Sequence, residues 1–177
     1  VLPAHPADAK GLLLNAVFSD DPVLFLEGRP LHQSTADVAQ APQTVPFGQA
    51  RVCQSGQDIT LIAVSFMVPE AAKAAEVLKQ EKISSEVIDL VSTSPIDWET
   101  LVASAQKTGR VLIVDPAHGA CSIASEIAAQ LQRKLFGKLK APIEMLTFPD
   151  RPVPTAASLE AAFYPNAERI AEWRATG

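Results

Sequence analysis

The sequence predicts an α/β fold of three layers, with a mostly parallel sheet between two helical layers. Two observations predict it. Short apolar runs rich in β-forming residues recur along the second two-thirds of the chain, and helical periodicities fill the intervals between them. Strand, helix, strand, helix, strand, helix, strand is the βαβ pattern, and right-handed crossovers place the helices on both faces. A chain of 177 residues, 47% of them hydrophobic, has the material for a buried core.

The elements follow in order. Asp8 caps a first helix whose apolar residues Leu12, Leu13, Ala16 and Val17 recur at helical spacing. Asp20-Asp21-Pro22 breaks it, since proline lacks an amide donor and restricts the residue before it. Val23 to Leu26 reads as a short strand ended by Glu27 and Gly28. The stretch to Gly48 holds Pro30, Pro42 and Pro46 among polar residues and has the composition of a semi-extended linker.

Ile59 to Val64 is a run of Ile, Thr, Leu, Ile, Ala and Val, as expected of a strand buried on both faces. Pro69 then opens a helix with Glu70 in its first turn, where a negative charge suits the dipole, and Ala71, Ala75 and Leu78 on its inner face. Ser85 to Leu90 is the second strand of this series. Ser94-Pro95-Ile96-Asp97 predicts a helix with Ser94 as its N-cap, and Gly109 ends it in the left-handed cap position. Val111 to Val114 is the third strand, ending at Asp115-Pro116. Ile123, Ile127, Leu131 and Leu135, four apart, mark a long helix before Gly137. Ile143 to Phe148 is the fourth strand. A proline-stiffened loop, a short helix around Leu159 to Phe163 and a last helix from Asn166 to about Arg174 close the chain.

Charge and cysteine usage bound the function. The net charge is -5 and no Lys/Arg stripe forms, which argues against nucleic acid and anionic membrane surfaces as partners. Two cysteines, Cys53 and Cys121, build no disulfide framework and suit an intracellular, cytoplasmic setting. No apolar run approaches the roughly 20 residues that span a bilayer. No secretory signal stands at the start. The chain begins at Val1, not Met, and its opening reads as the middle of a longer chain; a processed or trimmed terminus would look the same.

Dinucleotide, P-loop and nucleophile-elbow motifs are absent, and no His or Cys pair sits at metal-ligand spacing. Ligands of such sheets bind beyond the carboxyl ends of the strands, here Ser65-Phe66, Leu90 to Thr93, Asp115 to Ser122 and Phe148 to Arg151. His118 in the third of these loops is either a proton carrier or a loop histidine bonded to backbone. Cys121, at or next to a helix start, is either a dipole-activated thiol or a small buried residue. Asp115 is either functional or a cap for the next helix. Glu27 is either a functional carboxylate or a strand-terminal charge. His5 and His32 lie in the leading segment and the linker.

The residues then carry a family likeness. DAKGLLLNAVFSDDPVLFLEGRPLH resembles the end of the pyrimidine-binding domain in beta subunits of the pyruvate, branched-chain 2-oxoacid and acetoin dehydrogenases. TVPFGQARVCQSGQDITLIAVSFMVPEAAKAAEVL is similar to that family's V-P-x-G-x-A, G-x-D-V-T-I-I and M-V-x-x-A-L-x-A-A. ISSEVIDLVSTSPIDWETLVASAQKTGRVLIVDPAH resembles I-x-x-E-V-I-D-L-R-T-L-x-P-L-D followed by K-T-G-R, and FPDRPVPTAASLEAAFYPNAERI resembles the family's closing D-x-P-x-P, L-E, P and I.

The resemblance implies a transketolase C-terminal domain with a five-stranded mixed sheet over residues 49–177, preceded by the tail of a pyrimidine-binding domain (1–28) and a linker (29–48). It implies a parent enzyme that decarboxylates a 2-oxoacid on thiamine diphosphate and magnesium and passes the acyl group to a lipoyl arm. Its partners would be an alpha subunit, a second beta subunit and the acyltransferase component, in a homo- or hetero-oligomer. The segment itself would bind neither cofactor nor metal and would serve assembly and docking. Stand-alone alternatives are an interaction module derived from that family and a small enzyme using His118 with Asp115 or Cys121.

Departures from the family pattern are also visible. Its Arg after D-L is Val91, a common His is Pro69, and its loop A-H-R-T-G-G-x-G-A-E-I reads here Ala117 to Ile127 without the Arg or the three glycines.

Overall fold

The computed structural model describes residues 1–173. Strands β1 (Arg51–Gln54), β2 (Ile59–Ala63), β3 (Ser85–Asp89), β4 (Val111–His118) and β5 (Glu144–Phe148) form one sheet of order β1-β3-β2-β4-β5. β2, β3, β4 and β5 run parallel to their neighbours, and β1 joins β3 antiparallel, so the sheet is mixed, as expected. The helices are α1 (Pro6–Val17), α2 (Met67–Gln80), α3 (Trp98–Thr108), α4 (Ile123–Lys134), α5 (Ala157–Phe163) and α6 (Ala167–Glu172), with a 3-10 turn at Arg29–Gln33.

The period-2 geometry of a strand sorts the core into two layers. Ile59, Leu61 and Ala63 of β2, with Leu112 and Val114 of β4, pack on Met67, Ala71 and Leu78 of α2 and Ile170 of α6. Ile62, Val64, Val111 and Ile113 point the other way, onto Leu101 and Ala105 of α3 and Ile127 and Leu131 of α4. Leu61, Ile62 and Ile113 are fully buried, and each such side chain contributes about 2 kcal/mol on leaving water. Thr60, the polar residue of β2, is satisfied within this core by hydroxyls of α3: Ser104 at 2.7 Å and Thr108 at 2.9 Å. A third, smaller cluster packs the leading segment: Val1, Leu12 and Val91, with Val23, Phe25, Val45 and Phe47 around them.

Several expected elements differ in the structure. Val23 to Leu26 is not a strand. A ladder needs successive partners, and among the described residues the backbone hydrogen bonds of this run go to Val1, whose ammonium donates to the Leu24 carbonyl at 2.8 Å and whose carbonyl accepts the Leu26 N–H at 3.0 Å. The stretch expected to be a linker is not wholly irregular, since the 3-10 turn Arg29–Gln33 lies in it.

α3 is capped by Asp97, not Ser94. The Asp97 carboxylate accepts the Thr100 N–H at 3.0 Å and the Ala50 N–H at 3.0 Å, satisfying donors that a serine three residues earlier does not reach. Burial would raise the Asp97 acid, but these bonds outweigh it and hold it below the usual range. α2 starts two residues before Pro69, which fits a first turn whose N–H groups need no partner. β4 continues to His118, with a register irregularity after Val114 that takes in Pro116, a residue without a ladder donor. α3 does end at Gly109, with φ +75°. Arg174, the expected end of the last helix, lies outside the described residues.

Candidate functional site

Two places hold chemically capable side chains, and they are built differently. The first is the carboxyl edge of the sheet. Here β4 delivers Asp115 and His118, and the loop to α4 delivers Cys121. Asp115 is 3% exposed, and its Oδ2 accepts the Ala124 N–H at 3.2 Å. Burial pushes its acid above the usual range, and that hydrogen bond only partly offsets it. That N–H belongs to the first turn of α4, whose N-cap is Ser122.

His118 is exposed and its Nδ1 lies 3.0 Å from the Pro149 carbonyl. A carbonyl only accepts, so Nδ1 carries the proton in that bond. The ring also stands edge-on to Phe148, with centroids 6.3 Å apart. Phe148 packs in turn on Tyr164 at 4.9 Å, and Tyr164 on Phe66 at 6.1 Å, which lines this edge with aromatic rings. Cys121 is exposed, not buried, and stands with φ +56° just before Ser122, the N-cap of α4. Ser122 and Ser125 close a capping box, so the helix start is already supplied with acceptors. Among the described residues, no hydrogen bond joins His118, Asp115 and Cys121 to one another, so base, nucleophile and orienting group do not converge.

Glu27 stands apart from that loop. Its carboxylate faces His32 at 3.5 Å, and both side chains are more than half exposed. Gly28 beside it packs so closely on the end of β2 that an added Cβ would meet Ser65 Oγ at 2.8 Å.

The second place is where the leading segment crosses the antiparallel edge of the sheet. His5, at the start of α1, Cys53 of β1 and Asp89 of β3 bring one ligand-type atom each within 4.8 Å of the others. His5 Nε2 and Cys53 Sγ are 3.8 Å apart. The β1–β3 register shifts between Val52 and Gln54, so Cys53 lies at a bulge, a device that re-aims a side chain. Asp89 is fully buried. Its Oδ1 accepts the Val91 N–H at 2.9 Å, whereas Oδ2 has no hydrogen-bond partner among the described residues. Burial pushes its acid up to about 7, against the opposing Val91 bond. Nearby, buried Asp8 pairs with Arg51 through Oδ1 while its Oδ2 also lacks a partner. Burial and the neighbouring Asp89 carboxylate raise the Cys53 thiol.

Sequence spacing could not announce this cluster, because its members lie on three separate segments. Asp89 is one of two carboxylates, with Glu86, in a strand buried along its whole length, and nothing in the spacing sets it apart.

Comparison with known proteins places the fold. The model of the transketolase C-terminal domain matches residues 48–170. The acetoin:2,6-dichlorophenolindophenol oxidoreductase subunit beta of Cupriavidus necator is 40% identical over 171 residues, covering 97% of this chain and 51% of that protein. The pyruvate dehydrogenase E1 component subunit beta of Bacillus subtilis is 37% identical over 173 residues, covering 97% of this chain and 53% of that one. A solved split-gene transketolase, described as an inactive beta4 tetramer, superposes with a TM-score of 0.78 at 25% identity, over 97% of this chain and 55% of its own. The chain therefore spans about half the length of the relatives it matches. With a family model over most of its length and homology to dehydrogenase beta subunits at 37–40% identity, the chain belongs to the transketolase C-terminal domain family.

Proposed function

We propose that this chain is the assembly and docking domain of a thiamine-diphosphate-dependent 2-oxoacid dehydrogenase beta subunit. The observation that carries the proposal is the in-order likeness to such subunits across 97% of the chain. A second feature supports it. Leu13, Val17, Phe18, Leu24 and Leu26 of the leading segment are all more than half exposed, an apolar surface of the kind that subunit or domain contacts cover. On this reading residues 1–28 end the pyrimidine-binding domain, 29–48 link, and 49–177 form the assembly domain.

Thiamine diphosphate, when bound in the parent enzyme, supplies the ylid and electron sink for decarboxylation. This chain offers little to hold it. Glu27, the one candidate carboxylate, is turned to His32 and water, and magnesium–diphosphate binding calls for several oxygen ligands in octahedral array. On this reading the residues of this chain take no part in the chemical step. Their role is to present the surface on which an alpha subunit, a second beta subunit and the acyltransferase assemble, in the cytoplasm. Among the described residues no helix is long and apolar enough to cross a membrane.

Calorimetry with thiamine diphosphate and magnesium tests the reading. No heat of binding is expected from this chain alone, and decarboxylation is expected only when the pyrimidine-binding half and an alpha subunit are added. Micromolar cofactor affinity in the chain alone would overturn it. Failure of the chain to associate with either partner would favour the stand-alone interaction module. The replaced loop at Ala117 to Ile127 and Val91 in the place of the family's arginine support divergence of that kind, or a parent with an unusual substrate.

A further inference from the structure

We infer that His5, Cys53 and Asp89 form a binding site for a single zinc ion, fastening the leading segment to the antiparallel edge of the sheet. Imidazole, thiolate and carboxylate are the donor set that zinc takes, and softer sulfur disfavours magnesium or calcium. Zinc bonds of about 2.0–2.3 Å in tetrahedral array put donor atoms roughly 3.3–3.8 Å apart. His5 Nε2 and Cys53 Sγ already stand at 3.8 Å, and all three donor atoms lie within 4.8 Å of one another. Closing the remaining gap needs side-chain adjustments of about 1 Å, within reach of the half-buried His5 and the exposed Cys53.

A second observation points to a ligand independently of that spacing. Asp89 is 0% exposed, and its Oδ2 meets no donor among the described residues. Burying a carboxylate oxygen without a partner is costly, and a cation removes the cost. Its other oxygen accepts the Val91 N–H, which fixes the carboxylate's orientation as supporting contacts fix metal ligands elsewhere. Three protein donors leave a fourth position for water, reached from the exposed side at Cys53.

The whole chain, stripped with chelator, would be titrated with zinc by calorimetry and with cobalt(II) by absorption. One equivalent of zinc should bind, with a sulfur-to-cobalt charge-transfer band in the near ultraviolet. Cys53→Ser should abolish that band and weaken zinc by at least tenfold, and His5→Ala should weaken it similarly. Cys121→Ser should change neither. Both ligand variants alter side chains that lie outside the core, and circular dichroism would verify their fold. The inference is overturned if zinc does not bind, if Cys53→Ser binds as tightly as the parent, or if the band follows Cys121. Asp89→Asn adds a third arm: retained affinity in a folded Asp89→Asn protein would also overturn the three-ligand site.

Discussion

Strand β3 carries two buried carboxylates three residues apart, and the fold treats them in opposite ways. Glu86, near the amino end, is met by the Lys107 ammonium of α3 and by the Gly56 N–H. Burial alone would raise its acid, but those hydrogen bonds, with one from Ser104, outweigh the desolvation and leave it below the usual range. Asp89, at the carboxyl end, has a single N–H donor and is pushed up to about 7. Both side chains are shielded from solvent, but Asp89 lies deeper among protein atoms than Glu86, so desolvation weighs more on it. The supply of donors differs as well. A buried carboxylate with a full set of partners belongs to the scaffold, and one with half a set is a place where the molecule can still take up a proton or a cation.

The sharpest test of that contrast is the pH dependence of stability in the presence of chelator. Asp89 titrates near 3.8 when unfolded and near 7 when folded. Its contribution is therefore complete below about pH 4 and is lost as pH rises toward and through 7. At about 1.4 kcal/mol per pH unit, the loss is on the order of 4 kcal/mol. Glu86 has the opposite sign: its contribution is present at neutral pH and lost as pH falls through its lowered folded value. Urea titrations of the parent and Asp89→Asn, compared between pH 4 and 8, should show their stability difference change by that amount. A constant difference across the range would mean that Asp89 is ionised and satisfied in the fold.

Next in size is Lys107→Met. It leaves Glu86 buried with its charge partner gone. Such breakage typically costs 3–5 kcal/mol, and the partial exposure of Lys107 lowers the expectation to about 3 kcal/mol. The midpoint of urea unfolding reads it. A loss below about 1 kcal/mol would place Glu86 among exposed surface pairs and remove one side of the comparison.

The same logic explains what could be read from the chain. The central strands β2 and β4 were legible because the predominantly apolar runs at Ile59–Ala63 and Val111–Val114 admit few other readings at that length. β1 was not, since Arg51, Val52 and Cys53 are exposed and show no alternation. The false strand at Val23 to Leu26 has the right composition, but composition cannot supply a partner strand. At the candidate sites, residue types were legible and partners were not. Asp115 could be placed at a strand end, but only the fold shows its carboxylate on the Ala124 N–H. His5, Cys53 and Asp89 lie 36 or more residues apart in sequence, and only the antiparallel addition of β1 to β3 collects them.

A smaller effect concerns the loop after β4, where the family pattern has glycine at the position of Cys121. The backbone there keeps a left-handed φ of +56°, so the conformation survives without the residue that adopts it freely. Cys121→Gly should relieve strain of about 1 kcal/mol, partly offset by the greater freedom glycine has when unfolded. A net gain of about 0.5 kcal/mol in thermal or urea unfolding is expected. Destabilisation would show that the thiol makes a contact worth more than the strain.

An effect of similar size on stability belongs to His118→Ala. The ring is exposed and holds one hydrogen bond, to Pro149, and one aromatic edge contact, with Phe148. A loss of about 0.5 kcal/mol in stability is expected, with zinc affinity unchanged, because the ring lies at the carboxyl edge and not at the β1–β3 edge. The informative readout is function in the assembled parent enzyme. If His118 is a packing residue on an assembly domain, turnover should stay within about twofold of the parent, since removing a proton-transfer group typically costs on the order of 100-fold or more. A drop of that size with the fold intact would move the chemistry onto this chain and end its reading as scaffold.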